Sequence, residues 1–345
     1  MDVFEKDINI IPFFSVIIPC YNCRNSIENL LDSLVNQHYK SMEVIIQDDY
    51  STDNFMELVE PYKEKLNIKY FKNKPREIHC PGNTRFDGLN NSTGEWVTFI
   101  DHDDMFEPDS FIEVVKCINH NKEKNFLVSK FREYYPPTDI FTKEYTYNAT
   151  TWLHGKFYNR NFLFKNGIQF KENLVSHEDL CFNQQVYCNL TVNNMTYSIL
   201  NQFTYRWMFD ANSTSRKMFF EELNYIDTYY DDFITTSTDP WFKAYEEHPE
   251  MRDEIIKRVS YTSLSAYFYY QSLYLRRGFK HYIKDRDIFG QYINKIMKTF
   301  NITKQDIIDV VYSSSENYNI IRDSAMGGCQ GLIEYESYRT FMENF

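Results

Sequence analysis

Val97-Thr-Phe-Ile-Asp-His-Asp-Asp104 is the stretch on which the reading of this chain turns. Four strand-like residues run directly into an acidic cluster, Asp101, Asp103 and Asp104. A buried strand that ends in carboxylates is costly unless something neutralises the charge. A divalent cation held through oxygen is the commonest neutraliser, and phosphates often accompany it. Side chains alternate along an extended segment, so Asp101 and Asp103 share one side and His102, read as a spacer, points to the other. A solvated acidic loop is the competing explanation, and an acidic triplet alone does not exclude it.

Outward from this stretch, strand and helix alternate. Phe13–Pro19 is a continuous apolar run, as expected of a strand buried on both faces. Ser26 is placed to cap a helix whose Ile27, Leu30, Leu31, Leu34 and Val35 fall at helical spacing. Met42–Gln47 reads as a second strand, Phe55–Tyr62 as a helix and Ile68–Phe71 as a third strand. Thr84–Asn91 reads as a helix, Trp96–Ile100 as a strand and Pro108–Asn119 as a helix. This alternation predicts an α/β domain with a mostly parallel, Rossmann-like sheet and helices on both faces. Ligands of such sheets sit beyond the carboxyl ends of the strands. Pro19-Cys-Tyr-Asn22, Asp48-Asp49 and Asp101-x-Asp103 therefore meet along one edge.

Further on the pattern loosens. Tyr134-Tyr-Pro-Pro137 is a break, and Trp152–Phe164 reads as a short helix with flanks. Ser176-His-Glu-Asp-Leu180 opens another helix, and the sequence beyond Arg216 is largely helical, as in Glu221–Phe233 and Arg252–Leu275. The expected division is a catalytic domain over 1–216 and a helical domain over 217–345, the latter for acceptor binding or homo-oligomerisation.

Composition narrows the classes. The chain has 345 residues, 43% hydrophobic and 25% charged, which is globular. Its 28 Tyr and 29 Phe can line clefts for sugars, bases or lipid headgroups, or reflect the base composition of its genome. A net charge of −12 argues against a general polyanion binder. Seven cysteines, an odd number, fit free thiols in a reducing compartment, and Cys20-Tyr-Asn-Cys23 has no second pair with which to bind zinc. No apolar run reaches the roughly 18 residues of a membrane span, and no secretory signal is read. The expected location is the cytoplasm, with room for peripheral contact at the inner membrane face, or the host cytoplasm for a viral protein.

Six segments, one of them containing the acidic strand end, carry a resemblance. They are Ser15-Val-Ile-Ile-Pro-Cys-Tyr-Asn22, Gln47-Asp-Asp-Tyr-Ser-Thr-Asp53, Gly82-Asn-Thr-Arg-Phe-Asp-Gly88, Ser92 through Asp104 with Pro108-Asp109, His154-Gly-Lys-Phe-Tyr-Asn159 and Glu178-Asp179. In this order, across roughly residues 13–215, they resemble the inverting family 2 glycosyltransferases of GT-A fold. Two departures stand out. Tyr50 occupies a position where that family usually has Gly, and Phe86-Asp87 follows Arg85 where Asn is usual.

The resemblance implies a UDP-sugar donor, Mn²⁺ or Mg²⁺ as cofactor and a hydroxyl acceptor, by default a surface polysaccharide, lipopolysaccharide or teichoic acid. It makes Asp103 the metal ligand and Asp101 the residue that positions the donor. Asp49 would bind uracil or ribose, and Tyr21 would stack on the base beside Pro19 and Asn22. Arg85 would pair with diphosphate or with Asp103. Asp179 would be the base that takes the acceptor proton, with Glu178 beside it. Lys156, His177 and Arg206 are candidate acceptor or supporting contacts. Asp48, Ser51 and Asp53 are expected to hold the loop, and Asp104 to cap a turn.

Competing readings remain at this stage. Tyr21 could be a core residue, Arg85 a surface helix residue, and Glu178-Asp179 ordinary charge at a helix start. The whole chain could be a non-catalytic nucleotide-sugar scaffold. A nucleotidyltransferase is disfavoured because Pro19-Cys-Tyr-Asn22 is not a glycine-rich phosphate loop. Tyr267-Phe-Tyr-Tyr270, Tyr274, Arg276-Arg277, Phe279-Lys280-His281-Tyr282 and Lys284 mix aromatic and basic residues. They read as an aromatic core face with a solvated basic rim, or as a surface for an anionic membrane or an anionic acceptor, including hydroxymethylated DNA for a phage enzyme, against which the net charge weighs.

Overall fold

The computed structural model describes residues 13–77, 80–135, 140–146, 151–174, 176–210, 226–277, 282–325 and 337–344. The first strand, β1 (Phe14–Cys20), is buried at every position, as is β2 (Met42–Asp48). With β3 (Asn67–Lys72) and β4 (Trp96–Phe99) they form a parallel half-sheet in the order β3-β2-β1-β4. Alternation explains why both faces are apolar. Phe14, Val16, Ile18, Val44 and Ile46 join one core cluster, while Ile17, Ile45, Val97 and Phe99 join another. Helix α1 (Ile27–Val35) and helix α4 (Ser110–His120) cover the first face. Helix α3 (Pro81–Asn91) and helix α6 (Glu178–Val192) cover the second.

Beyond β4 the sheet becomes mixed. β5 (Met105–Phe106), β6 (Phe126–Tyr134), β7 (Phe141–Tyr145), β8 (Lys156–Asn159) and β9 (Ser198–Met208) complete it. Among the described residues the order is β3-β2-β1-β4-β8-β6-β9-β5, with β7 against β6. The β4–β8, β8–β6, β6–β7 and β9–β5 pairs are antiparallel, and β6–β9 is parallel. The fold is α/β as expected, with its parallel strands concentrated in the first half.

Several local expectations need correction. Trp152–Phe164 is not one helix: it contains β8 and then helix α5 (Arg160–Lys165). Phe55–Tyr62 yields a single α-turn, α2 (Met56–Val59), which passes into a 3-10 turn over Glu60–Glu64 at Pro61. Proline lacks the N–H that a continuing α-helix would use. Ser26 starts α1, but its hydroxyl bonds the Cys23 carbonyl and His102 Nδ1 (2.8 Å), not the helix N–H groups.

The chain divides into two compact units, Met1–Phe209 and Asp210–Phe345. The second is helical, with helices at Ile226–Glu247, Arg252–Arg277, Tyr282–Phe300, Lys304–Tyr312, Ser315–Ala325 and Tyr338–Glu343. Its core includes Ile255, Val259, Tyr267, Phe289, Ile293, Val311 and Phe341. Among the described residues no helix is long and apolar enough to cross a membrane.

A buried polar knot ties β1, β2 and the turn before β4. Glu43, fully buried, accepts from Ser15 Oγ (2.5 Å), Thr93 N (2.6 Å) and Thr93 Oγ1 (2.9 Å), and pairs with Lys69 (2.5 Å). Gly94 lies so close that an added Cβ would meet Ser15 N at 2.6 Å. Burial pushes the Glu43 carboxyl up, but Lys69, Ser15 and Thr93 together hold it below its ordinary value of 4.5. Its stabilisation is therefore complete above that value and is lost as pH falls through the folded-state pKa. Glu43→Gln is expected to lose about 1–3 kcal/mol near neutral pH, because buried donors are left poorly paired. Urea denaturation should show that loss shrinking below pH 4.5. Gly94→Ala should also destabilise, at every pH, because the clash is with backbone.

Candidate active site

The loops that leave β1 and β2 are built by short-range hydrogen bonds. Ser51 N donates to Asp48 Oδ1 (2.8 Å), Asn22 N to Ser51 Oγ (2.9 Å), Thr52 N to Asn22 Oδ1 (2.9 Å) and Arg24 N to Asp53 Oδ2 (2.7 Å). Asp48, Ser51 and Asp53 thus hold the loop. They also hold Tyr50 at φ 69, a left-handed conformation that glycine adopts without strain, with Lys72 Nζ 5.0 Å from its ring centroid. Pro19 lies within buried β1, and Tyr21 at its end is 50% exposed, so it is a surface residue and not a core residue. Asp49 is buried and accepts from Asn73 Nδ2 (3.2 Å), and the Asn73 Oδ1 accepts from Gln47 Nε2 (2.5 Å).

The centre of the site is Arg85 on α3, buried to 4% exposure. One of its terminal nitrogens donates to Asp101 (2.5 Å); the other donates to Glu178 (2.8 Å) and Asp179 (3.2 Å). Its Nε is buried without a hydrogen-bond partner among the described residues. Gly88, one turn on, packs so tightly on β1 that a Cβ would meet Ile17 Cγ2 at 2.5 Å, which fixes α3 against the sheet. Burial tends to strip the guanidinium of its proton, but Asp101, Asp179 and Glu178 more than offset this and keep it charged. Arg85 is therefore not a surface residue, and it forms ion pairs with Asp101, Glu178 and Asp179. Asp87, in the unusual Phe86-Asp87 pair, forms an ion pair with Arg76.

The carboxylates differ. Burial pushes Asp101 up, yet Arg85 and then His154 draw it below its ordinary value. Asp179 is pushed up to about 7: burial raises it most, Arg85 lowers it, and Glu178 and Asp101 raise it again. The Leu153 backbone N–H also bonds Asp179. Lys156, buried in β8, faces Asp179 electrostatically, is lowered by burial to about 7, and donates its Nζ to the Trp152 carbonyl. His177 precedes α6 at φ 62, with Nδ1 3.1 Å from Ser176 Oγ; burial lowers it to about 3. Arg206 stands apart, paired with Glu107 (2.8 Å) and lying over Tyr134.

Asp101, Asp104 and His154 bring ligand atoms within 4.8 Å of one another. Asp104 is no simple turn cap. It is buried, takes the Tyr205 hydroxyl and Met208 N–H (2.7 Å), and is raised by burial and by Asp103 and Asp101. His154 Nδ1 is buried without a hydrogen-bond partner among the described residues, and burial lowers the ring to about 3, so it is neutral. Two carboxylates and a neutral imidazole form a donor set that fits Mn²⁺. Asp103, the sequence's choice of ligand, is half-buried beside this group and not part of it. His154 was missed as a ligand: it occurs in a quoted motif, but 50 residues of chain separate it from Asp104, and only the β4–β8 pairing brings it back. Of the basic and aromatic C-terminal residues, Tyr267 and Phe268 are core. The side chains of Tyr270, Tyr274, Arg276, Arg277, Phe279, Lys280, His281, Tyr282 and Lys284 lie outside the described residues.

Comparison with known proteins agrees with this geometry. The sequence model of glycosyl transferase family 2 matches residues 15–173. The chain is 31% identical over 190 residues to the poly(ribitol-phosphate) β-N-acetylglucosaminyltransferase TarS of Staphylococcus aureus, covering 51% of this chain and 32% of that protein. It is 27% identical over 190 residues to the poly(ribitol-phosphate) β-glucosyltransferase of Bacillus spizizenii, covering 50% of this chain and 29% of that one. The chain thus spans about a third of the length of these curated relatives. The crystal structure of S. aureus TarS 1–349 with UDP-GlcNAc shares the fold at a TM-score of 0.65 and 22% identity, over 94% of this chain and 93% of that one. Residues 15–173 thus match glycosyl transferase family 2, and the chain shares the fold of TarS.

Proposed function

We propose that the protein is an inverting glycosyltransferase that moves a sugar from a UDP-sugar to a hydroxyl of a surface polysaccharide, lipopolysaccharide or teichoic acid. The observation that carries this reading is Arg85, which bonds Asp101 of the acidic strand end and Asp179 of α6 at once. One guanidinium thus joins the donor-positioning acid to the base. Tyr21, Asn22 and Asp49 form the nucleotide end, beside Pro19. The segment 217–345 is assigned to acceptor binding or self-association.

In the reaction, Asp179 accepts the proton of the acceptor hydroxyl as its oxygen attacks the anomeric carbon. The bond from that carbon to the diphosphate oxygen breaks, and UDP leaves with the electron pair. A single displacement inverts the anomeric configuration. Mn²⁺ or Mg²⁺, held by Asp101, Asp104 and His154 with Asp103 nearby, would offset charge on the departing diphosphate. A carboxyl near 7 is well matched to proton transfer at neutral pH. Arg85 keeps its proton from being held too firmly.

Asp179→Asn is expected to lower kcat about 10²- to 10⁴-fold while the melting temperature stays near that of the parent. Normal turnover in this variant would remove Asp179 as the base. Because only the carboxylate accepts a proton, kcat/KM should fall as pH drops below about 7. A flat profile down to pH 5, some two units lower, would contradict the assignment. Titration calorimetry should show UDP binding at least about tenfold tighter with Mn²⁺ than with chelator, and His154→Ala should narrow that gap. Equal affinity in the two conditions would argue for metal-independent transfer.

A further inference from the structure

Five aromatic rings continue outward from His154. Its imidazole stacks on Tyr205 (4.4 Å, 17°) and lies 5.2 Å from Trp207. Phe131 stacks under Tyr145 (4.5 Å, 5°). Tyr145 meets both Trp152 (5.3 Å) and Trp207 (5.9 Å), whose rings are 6.1 Å apart. Phe131, Tyr205 and His154 are buried, whereas Tyr145, Trp152 and Trp207 are half-exposed. The result is a wall with a buried backing and a half-exposed front.

Its position is set by the backbone that holds the base. The Leu153 N–H bonds Asp179, and Asn183 Nδ2, one turn on in α6, bonds the carbonyls of Thr151 (2.8 Å) and Trp152 (3.1 Å). Lys156 Nζ bonds the same Trp152 carbonyl. Trp152 is therefore fixed to the scaffold of Asp179. In sheet order the wall, on β6, β7 and β9, lies on the far side of β4 from β1-β2-β3, where Tyr21 and Asp49 stand. A nucleophile must reach the anomeric carbon from the side opposite the leaving diphosphate, and this wall borders that side.

The charges on the wall restrict its occupant. Register puts Glu133 and Lys143 on the face of Phe131, Tyr145 and Trp207, one of each sign, with Lys143 Nζ 4.9 Å from the Tyr145 ring centroid. Arg132 and Arg206 belong to the opposite face, paired with Glu144 (3.1 Å) and Glu107 (2.8 Å). A polyol-phosphate chain needs an excess of cations along its path. The apolar C–H face of a pyranose needs a flat aromatic surface flanked by a few polar groups.

We propose that Trp152, Trp207 and Tyr145 form the acceptor subsite, and that it takes a pyranose ring whose hydroxyl is presented to Asp179. This rests on the glycosyl-transfer reading and narrows it: the acceptor unit is a sugar, not the polyol phosphate of a bare teichoic-acid backbone.

The test uses the full chain saturated with UDP and Mn²⁺. p-Nitrophenyl hexopyranosides and N-acetylhexosaminides of both anomers are titrated, with oligo(ribitol phosphate) and oligo(glycerol phosphate) as comparators, and binding is read by calorimetry and tryptophan fluorescence. At least one pyranoside should bind and quench the fluorescence. Trp207→Ala and Trp152→Ala should each weaken it at least about tenfold, while Trp207→Phe, which keeps an aromatic face, retains most of the affinity. UDP binding, measured separately in each variant, reports on folding and on the donor site. Binding of polyol phosphates with refusal of every pyranoside overturns the proposal, as does pyranoside affinity indifferent to both Trp→Ala changes. Refusal of every probe with UDP binding intact also overturns it and leaves the donor reading standing. Loss of UDP binding in the parent protein would instead overturn the glycosyl-transfer reading.

Discussion

The buried Arg85 guanidinium, shared by Asp101, Glu178 and Asp179, is the interaction on which the site depends. Taking a cation and three carboxylates out of water costs several kcal/mol per ion unless they are closely paired. Here the pairing is close, but the sum is unbalanced: one positive charge faces three acidic groups. Burial, with the neighbouring Glu178 and Asp101 charges, lets Asp179 hold its proton to about 7, while Arg85 draws Asp101 below its ordinary value. The imbalance also creates a demand for further positive charge, which Lys156 meets beside Asp179 and a cation at Asp101, Asp104 and His154 would meet at the strand end.

The fold delivers these groups from separate parts of the chain. The parallel half-sheet carries Tyr21, Asp49 and Asp101 to one edge because parallel strands end at the same side. Helix α3 brings Arg85 over that edge, held close by Gly88. The mixed half returns the chain antiparallel through β8, which places His154 and Lys156 against the same acids. On the proposed reading the two halves do different work: one faces the nucleotide, the other the acceptor.

Much of this was legible in the sequence, for a physical reason. β1, β2 and β4 are buried, largely apolar strands that end in polar motifs, so both their burial and their polarity are written locally. The Asp101, Arg85 and Asp179 positions followed from ordered motifs. What was not legible came from contacts across the sheet. Lys156 sits in a buried strand and His154 just before it, so the segment's aromatic spacing passed for a helix. Tyr205, whose hydroxyl holds Asp104, lies about a hundred residues away on β9, and no local pattern marks it. Ser26 had the sequence of a cap, but tertiary contact with His102 claimed its hydroxyl.

The central claim is that Arg85 sets the protonation of the base. The most direct measurement is the pH dependence of kcat/KM for Arg85→Gln beside the parent protein, with folding checked by circular dichroism. Arg85 is the largest influence that draws the Asp179 proton off. Its removal should therefore move the acidic limb of the profile to higher pH, on top of a lower maximum. A folded variant whose limb stays where the parent's lies would contradict the account.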